Sequence, residues 1–216
     1  MSFSDPTQRQ LSTVTDPAIR QLASCGSVRA FAKHAVIISE GDSSDTLYVV
    51  LSGRVKVFVS DADGVEMILA TRAAGEFIGE LALDGQVRSA SVVTLEPSTF
   101  AVVSRTALRA AIVVDPDFAL ALIDVLITRT RRTTETVKHL ALMDVYGRVA
   151  QLLNELSEPS GGVRVSVQKL TQLEIAERVG ASRDMVSRIL KELVAGGYLS
   201  IEHKIFTIRK ALPARW

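Results

Sequence analysis

The chain has 216 residues, of which 47% are hydrophobic and 23% charged, with a net charge of +1. That composition marks a soluble globular protein of one large or two small domains. The single cysteine, Cys25, excludes an intramolecular disulfide and a four-thiolate iron–sulfur cluster, and fits a reducing cytoplasmic compartment.

The first residues, Met1 to Asp16, lack an apolar signal core. Residues 17–25 read as a short helix. From Val28 onward short β-prone runs alternate with glycines. Val36-Ile37-Ile38 precedes Glu40-Gly41-Asp42, Leu47 to Leu51 precedes Ser52-Gly53, and Val55 to Val59 alternates with period two. Asp61-Ala62-Asp63-Gly64 is a hairpin turn with Met67 to Ala70 returning. Phe77-Ile78-Gly79 leads into Glu80 to Leu83, followed by Arg88 to Val93 and Phe100 to Val103. Many short strands at regular spacing predict an all-β barrel or jelly roll. A helix from Arg105 to about Val113 then feeds a longer one.

Asp115-Pro116 is a helix-entry signal, and no Gly or Pro follows until Gly147. The reading is one helix from Asp115 to Met143. Ala119, Ile123, Leu126, Thr130, Thr133, Val137 and Leu140 recur in steps of four and three, the a/d seam of a two-stranded coiled coil. Either the helix packs on its own domain, or it pairs with a second copy of itself. Thr133 and Thr134, beside Arg129, Arg131 and Arg132, are polar positions in mid-seam and point to a polar contact. Phe118 to Ile127, the most apolar run, is too short to span a bilayer and contains Asp124.

Residues 144–216 carry 11 Lys/Arg against 8 Asp/Glu, a mild lean towards nucleic acid. Asp144 is placed to cap a helix running to about Leu156. Ser157 to Gly162 reads as a loop and Arg164 to Val167 as a short strand. Thr171-Gln172-Leu173-Glu174 is a capping box. Gly180 ends that helix and Ser182 caps the next. Gly196-Gly197 is a turn, and Leu199 to Ile201 and Ile205 to Ile208 form a hairpin around Glu202-His203-Lys204. Two helices joined by a Gly-containing turn and followed by a hairpin describe a winged helix-turn-helix. Arg183, Asp184, Ser187 and Arg188 share the polar face at the start of the second helix. An Arg there takes a guanine through O6 and N7, and an acid accepts from the cytosine amino group. Ser182, Thr171 and Lys204 are placed for phosphates. The competing reading is a solvated face of an ordinary helical hairpin.

From Phe31 to Ile208 the chain resembles the cyclic-AMP receptor protein (CRP/FNR) family of bacterial transcription regulators. The stretches that carry the resemblance are Phe77-Ile78-Gly79-Glu80-Leu81-Ala82-Leu83, Arg88-Ser89-Ala90, Asp144-Val145-Tyr146-Gly147-Arg148 and Gly180-Ala181-Ser182-Arg183. The resemblance implies an α+β fold in three parts. These are a β-roll (jelly-roll) cyclic-nucleotide domain over 1–114, a dimerising central helix over 115–143, and a winged helix-turn-helix over 144–216. It assigns base contacts to Arg183, Asp184 and Arg188; the family more often has Glu at the position of Asp184.

A cyclic nucleotide has one phosphate charge and a free ribose 2′-OH. Arg88 offers that phosphate a charge-assisted grip and Ser89 adds a hydroxyl. Glu80 accepts from the 2′-OH, and Gly79 lets backbone approach closely. The competing reading is a structural Glu80–Arg88 pair bridging the ends of a loop. The resemblance favours the ligand: Gly79, Glu80, Arg88 and Ser89 match the family's phosphate–ribose cassette, Arg129 matches a ribose contact, and Thr133 and Thr134 match the pair that binds adenine. It implies cyclic AMP as an allosteric ligand, with no cofactor, metal or catalytic residue. The loop from Glu80 to Arg88 is shorter than is usual in the family, and Val87 stands where Pro is common. The alternative is therefore a β-roll that is ligand-independent or senses another small molecule. DNA, a second copy and RNA polymerase are the implied partners, the last through Ser157 to Gly162, with no membrane.

Overall fold

The computed structural model describes Leu11 and residues 13–213. The amino-terminal stretch read as lacking a signal core lies, at 1–10 and 12, outside the described residues. The chain divides into two compact units, Met1–Thr130 and Arg131–Trp216.

In the first unit, α1 (Pro17–Ser24) starts behind Asp16, whose carboxylate accepts from the N–H groups of Ala18 and Ile19. The strands are β1 (Ser27–Phe31), β2 (Val36–Ile38), β3 (Thr46–Ser52), β4 (Arg54–Ser60), β5 (Glu66–Ala73), β6 (Phe77–Ile78), β7 (Ser91–Thr94) and β8 (Ser98–Ser104). Among the described residues they form two antiparallel four-stranded sheets, ordered β1-β8-β3-β6 and β2-β7-β4-β5. Side chains alternate across a strand, so β3 serves two cores. Leu47, Val49 and Leu51 join Ile19, Leu22, Ala101, Val103 and Phe118 on the helical side. Val50 points the other way, with Val55, Ile78, Val92 and Phe100. Each such fully buried Leu or Val contributes about 1.5–3 kcal/mol relative to exposure.

After α2 (Arg105–Val114) comes α3 (Pro116–Leu142), with Pro116 at its first position, where a missing N–H costs nothing. Phe118, Leu122 and Val125 pack on the first unit's core, whereas the seam residues Ile123 and Leu126 are exposed beside that contact. Val137 and Leu140 are exposed as well. One stripe of the helix therefore packs on its own domain, and an adjacent apolar stripe does not.

The second unit contains α4 (Val145–Glu155), β9 (Ser157–Ser160), β10 (Val163–Ser166), α5 (Gln172–Val179), α6 (Arg183–Ala195), β11 (Leu199–Glu202) and β12 (Ile205–Ile208). Val149, Leu153, Ile175, Val186, Leu193 and Phe206 centre one core. The expected caps are present: Asp144 Oδ1 accepts from Gly147 N at 2.7 Å, Ser182 Oγ from Met185 N at 3.3 Å, and Thr171 and Glu174 form a full capping box. Gly180 ends α5 at φ 63°.

Ser157 to Gly162, read as a loop, is instead a strand and a turn. β9 pairs with β10 across Gly161-Gly162, both at positive φ, in the sheet order β11-β12-β10-β9. Ser-Glu-Pro-Ser has little β-propensity and contains a proline. An edge strand tolerates both, because one side of it needs no ladder bond.

Candidate functional site

The 3-10 helix Glu80–Asp84 follows β6 and begins the short connection to Arg88. The connection closes through Gly85 at φ 93° and a bond from Gln86 N to Asp84 Oδ1. Val87 bridges Ser43. Arg88 N donates to Asp42 O at 2.8 Å, and Gly41 N donates to Arg88 O at 2.9 Å. The backbone of Arg88 is thereby fixed to the 41–42 turn despite the brevity of the loop.

The Arg88 side chain is 4% exposed. Nη1 donates to Gly79 O at 2.7 Å, and Nη2 donates to Thr46 O at 2.6 Å, Ser44 Oγ at 2.9 Å and Thr46 Oγ1 at 3.2 Å. Every acceptor is uncharged, and no described carboxylate forms an ion pair with this guanidinium. Burial pushes its pKa down from the ordinary value, opposed by the charges of Tyr48, Asp45, Glu80 and Asp42; an arginine stays protonated at neutral pH all the same. Gly79, at φ 84°, carries this arrangement. A Cβ there would lie 2.6 Å from Arg88 Nη1 and 3.1 Å from Thr46 O. The glycine is thus needed first for the arginine of its own chain.

The structural Glu80–Arg88 pair is not formed. Glu80 Oε1 instead accepts from Arg129 Nη1 at 2.8 Å, with both side chains largely buried. Arg129 Nη2 donates to Phe77 O at 2.7 Å, and its guanidinium lies 4.0 Å from the centre of the Phe77 ring. Gly79, Glu80, Arg88 and Arg129 are thereby brought together. Ser89 is exposed and lies next in the chain to Arg88. Thr133 and Thr134 are exposed on α3, in the stretch belonging to the second unit. Sequence reasoning missed Ser44 and Thr46. Their hydroxyls sit 44 and 42 residues before Arg88, and only the pairing of the 41–43 turn with Val87 and Arg88 joins them.

In the second unit, α6 presents Arg183, Asp184 and Arg188 exposed, and Ser187 half-buried. Among the described residues none of these four makes a side-chain hydrogen bond or ion pair, and neither does Lys204. Lys204 follows His203 in a turn where both have positive φ, 67° and 50°, a backbone state that costs a non-glycine residue about 1–2 kcal/mol. Ser182 keeps its O–H free to donate, because its oxygen only accepts at the cap. Thr171 differs: its hydroxyl donates to Glu174 Oε2 at 2.8 Å and accepts from Glu174 N, so its one donor is engaged.

Residues 28–115 match the cyclic nucleotide-binding domain family, and residues 147–211 match the Crp-like helix-turn-helix domain. The chain is 36% identical over 202 residues to the cAMP-activated global transcriptional regulator CRP of Salmonella typhimurium, covering 90% of this chain and 95% of that protein. The chain belongs to the CRP family. The CRP-like cAMP-activated global transcriptional regulator of Mycobacterium tuberculosis is 34% identical over 179 residues, covering 81% and 80% of the two chains. Among solved structures, the c-di-GMP responsive global regulator CLP of Xanthomonas campestris superposes with a TM-score of 0.79 at 27% identity, over 89% of this chain and 98% of that one. The protein is accordingly a DNA-binding transcription regulator with an effector domain of the cyclic-nucleotide type, and not an enzyme. Among the described residues no helix is long and apolar enough to cross a membrane, and no group of three or more His, Cys, Asp or Glu is placed to hold a metal ion.

Proposed function

We propose that this CRP-family regulator is a cytoplasmic homodimer activated by cyclic AMP, which then binds a pseudo-palindromic operator and contacts RNA polymerase. The observation that carries the ligand is Arg88. A buried guanidinium with only neutral acceptors is costly to maintain unless a negative charge joins it. A cyclic phosphate supplies that charge, with Ser89 adding a hydroxyl. Glu80 and Arg129 take the ribose, and Thr133 and Thr134 the adenine. The last two are assigned by family resemblance alone.

The division into 1–114, 115–143 and 144–216 is part of this proposal. The exposed seam Ile123, Leu126, Val137 and Leu140 supports pairing of two α3 helices. Arg183, Asp184, Ser187 and Arg188 read bases, while Ser182, Lys204 and the entry of α5 at Thr171 hold phosphates. Two recognition helices on one face of DNA lie about 34 Å apart. Ligand acts through its higher affinity for the dimer state with that spacing. Asp144, which caps α4 directly after α3, serves as the hinge.

One observation favours a second reading. The Xanthomonas relative, similar over nearly its whole length, responds to c-di-GMP, and the Glu80–Arg88 connection is short. Calorimetry of the full chain against cyclic AMP, cyclic GMP and c-di-GMP separates the two. Cyclic AMP should bind tightest, one per chain, and Arg88→Leu should abolish the signal. Tighter c-di-GMP binding, or no heat with any of the three, overturns the assignment.

A further inference from the structure

A cleft of about 470 Å³ opens on the second unit between the entry of α5, the start of α6 and the β11–β12 hairpin. Its floor is made by Ile175, Leu190 and Phe206, side chains of the unit's own core. Leu173 and Ile201 line it from more exposed positions, 52% and 42% accessible. Among the described residues its charged lining is Arg183 and Lys204, and no carboxylate lines it. Neither cation has an ion pair or a side-chain hydrogen bond to a described residue.

DNA binding as proposed above uses the two cations, Arg183 on a base and Lys204 on a phosphate, and leaves the apolar part unexplained. Exposed Leu and Ile on a working face are informative, because polar residues would serve a phosphate surface better. The volume lies within the range of about 300–1,000 Å³ typical of small-molecule sites, which are mostly apolar with a few placed polar groups. An apolar floor with two unpaired cations is complementary to a molecule with a hydrocarbon body and one anionic end.

We propose that this cleft binds an amphipathic monocarboxylate of the medium-chain fatty-acid class. Its carboxylate sits on Arg183 and Lys204, and its chain lies against Leu173, Ile201 and the floor. Because the same two cations contact DNA in the function proposed above, occupant and DNA exclude each other. The regulator then has a second, inhibitory input that is separate from the β-roll. The competition rests on that DNA assignment, whereas the binding does not.

Decanoate is the probe, with decanol and acetate as controls, titrated calorimetrically into the full chain. A fluorescent duplex is followed by anisotropy in saturating cyclic AMP, with and without decanoate. Decanoate should bind one per chain, and each control at least about tenfold more weakly, since each lacks one half of the complementarity. Ile201→Ser and Leu173→Ser should each weaken decanoate about five- to tenfold by removing apolar contact, and should change duplex affinity less than about threefold. The apparent duplex Kd should rise in proportion to decanoate concentration. The proposal is overturned by absence of binding up to about 1 mM. Equal binding of decanol or indifference to both substitutions also overturns it, and decanoate binding with unchanged duplex affinity overturns the inhibitory input. Failure of the chain to bind the duplex before decanoate is added counts against the DNA assignment alone, and calorimetry still decides the cleft.

Discussion

Replacing Arg88 by Lys keeps the charge and removes the fork, so it tests what the fork does. The guanidinium reaches Gly79 O with one nitrogen and Thr46 O with the other. A lysine ammonium has one nitrogen and satisfies one of these sides. The other loses a charge-assisted bond, at about 1.5–3 kcal/mol. The first unit should therefore melt roughly 5–10 °C lower by differential scanning calorimetry. Bidentate recognition of a phosphate also goes, and cyclic AMP affinity should fall about tenfold to a hundredfold in the same preparation. A variant that melts with the wild type and binds nucleotide as tightly would refute the claim that this guanidinium organises the site.

Gly79→Ala should produce the same two losses from the other side of the contact. A Cβ 2.6 Å from Nη1 displaces the arginine, and positive φ adds about 1–2 kcal/mol; unchanged nucleotide affinity in calorimetry would contradict this. Arg188→Ala should cost roughly 1–3 kcal/mol of discrimination between a selected operator and random duplex, and equal loss on both in a gel-shift titration would make Arg188 a phosphate contact. Tyr146 donates to Pro213 O at 3.0 Å, and burial raises its pKa above the ordinary 10.0. With the folded pKa above the unfolded one, its contribution to stability is complete below pH 10 and is lost as pH rises through the folded value. Guanidinium unfolding of the second unit should therefore weaken above about pH 10, and Tyr146→Phe should flatten that part of the profile; identical profiles would remove Tyr146 as the cause.

Much of the architecture was legible because burial imposes a period. Val55 to Val59 in β4 alternates in sequence, β3 is a short apolar run ended by Ser52-Gly53 because both its faces are packed, and the capping box at Thr171 is a local rule read within four residues. Ser157–Ser160 was not legible, since an edge strand needs neither alternation nor strong β-propensity. At the candidate site the sequence pointed to Gly79, Glu80 and Arg88, but not to the way they are used. Arg88 is held by Ser44 and Thr46, and Glu80 is taken by Arg129, 49 residues away. Such partners are set by strand pairing and helix placement, and no spacing rule connects them. Thr171 is among the residues that the sequence places for phosphates, and its hydroxyl is the side-chain donor it has to offer. The same hydroxyl completes the helix cap, and that local bond takes its proton.

The coupling of the two domains is tested most directly by the cyclic AMP affinity of the full chain, measured calorimetrically with and without a saturating operator selected from random duplexes. Linkage requires that DNA tighten nucleotide binding by the same factor that nucleotide tightens DNA binding. The account predicts equal factors of at least about tenfold, a coupling near 1.4 kcal/mol. A nucleotide Kd that is the same with and without operator would contradict it.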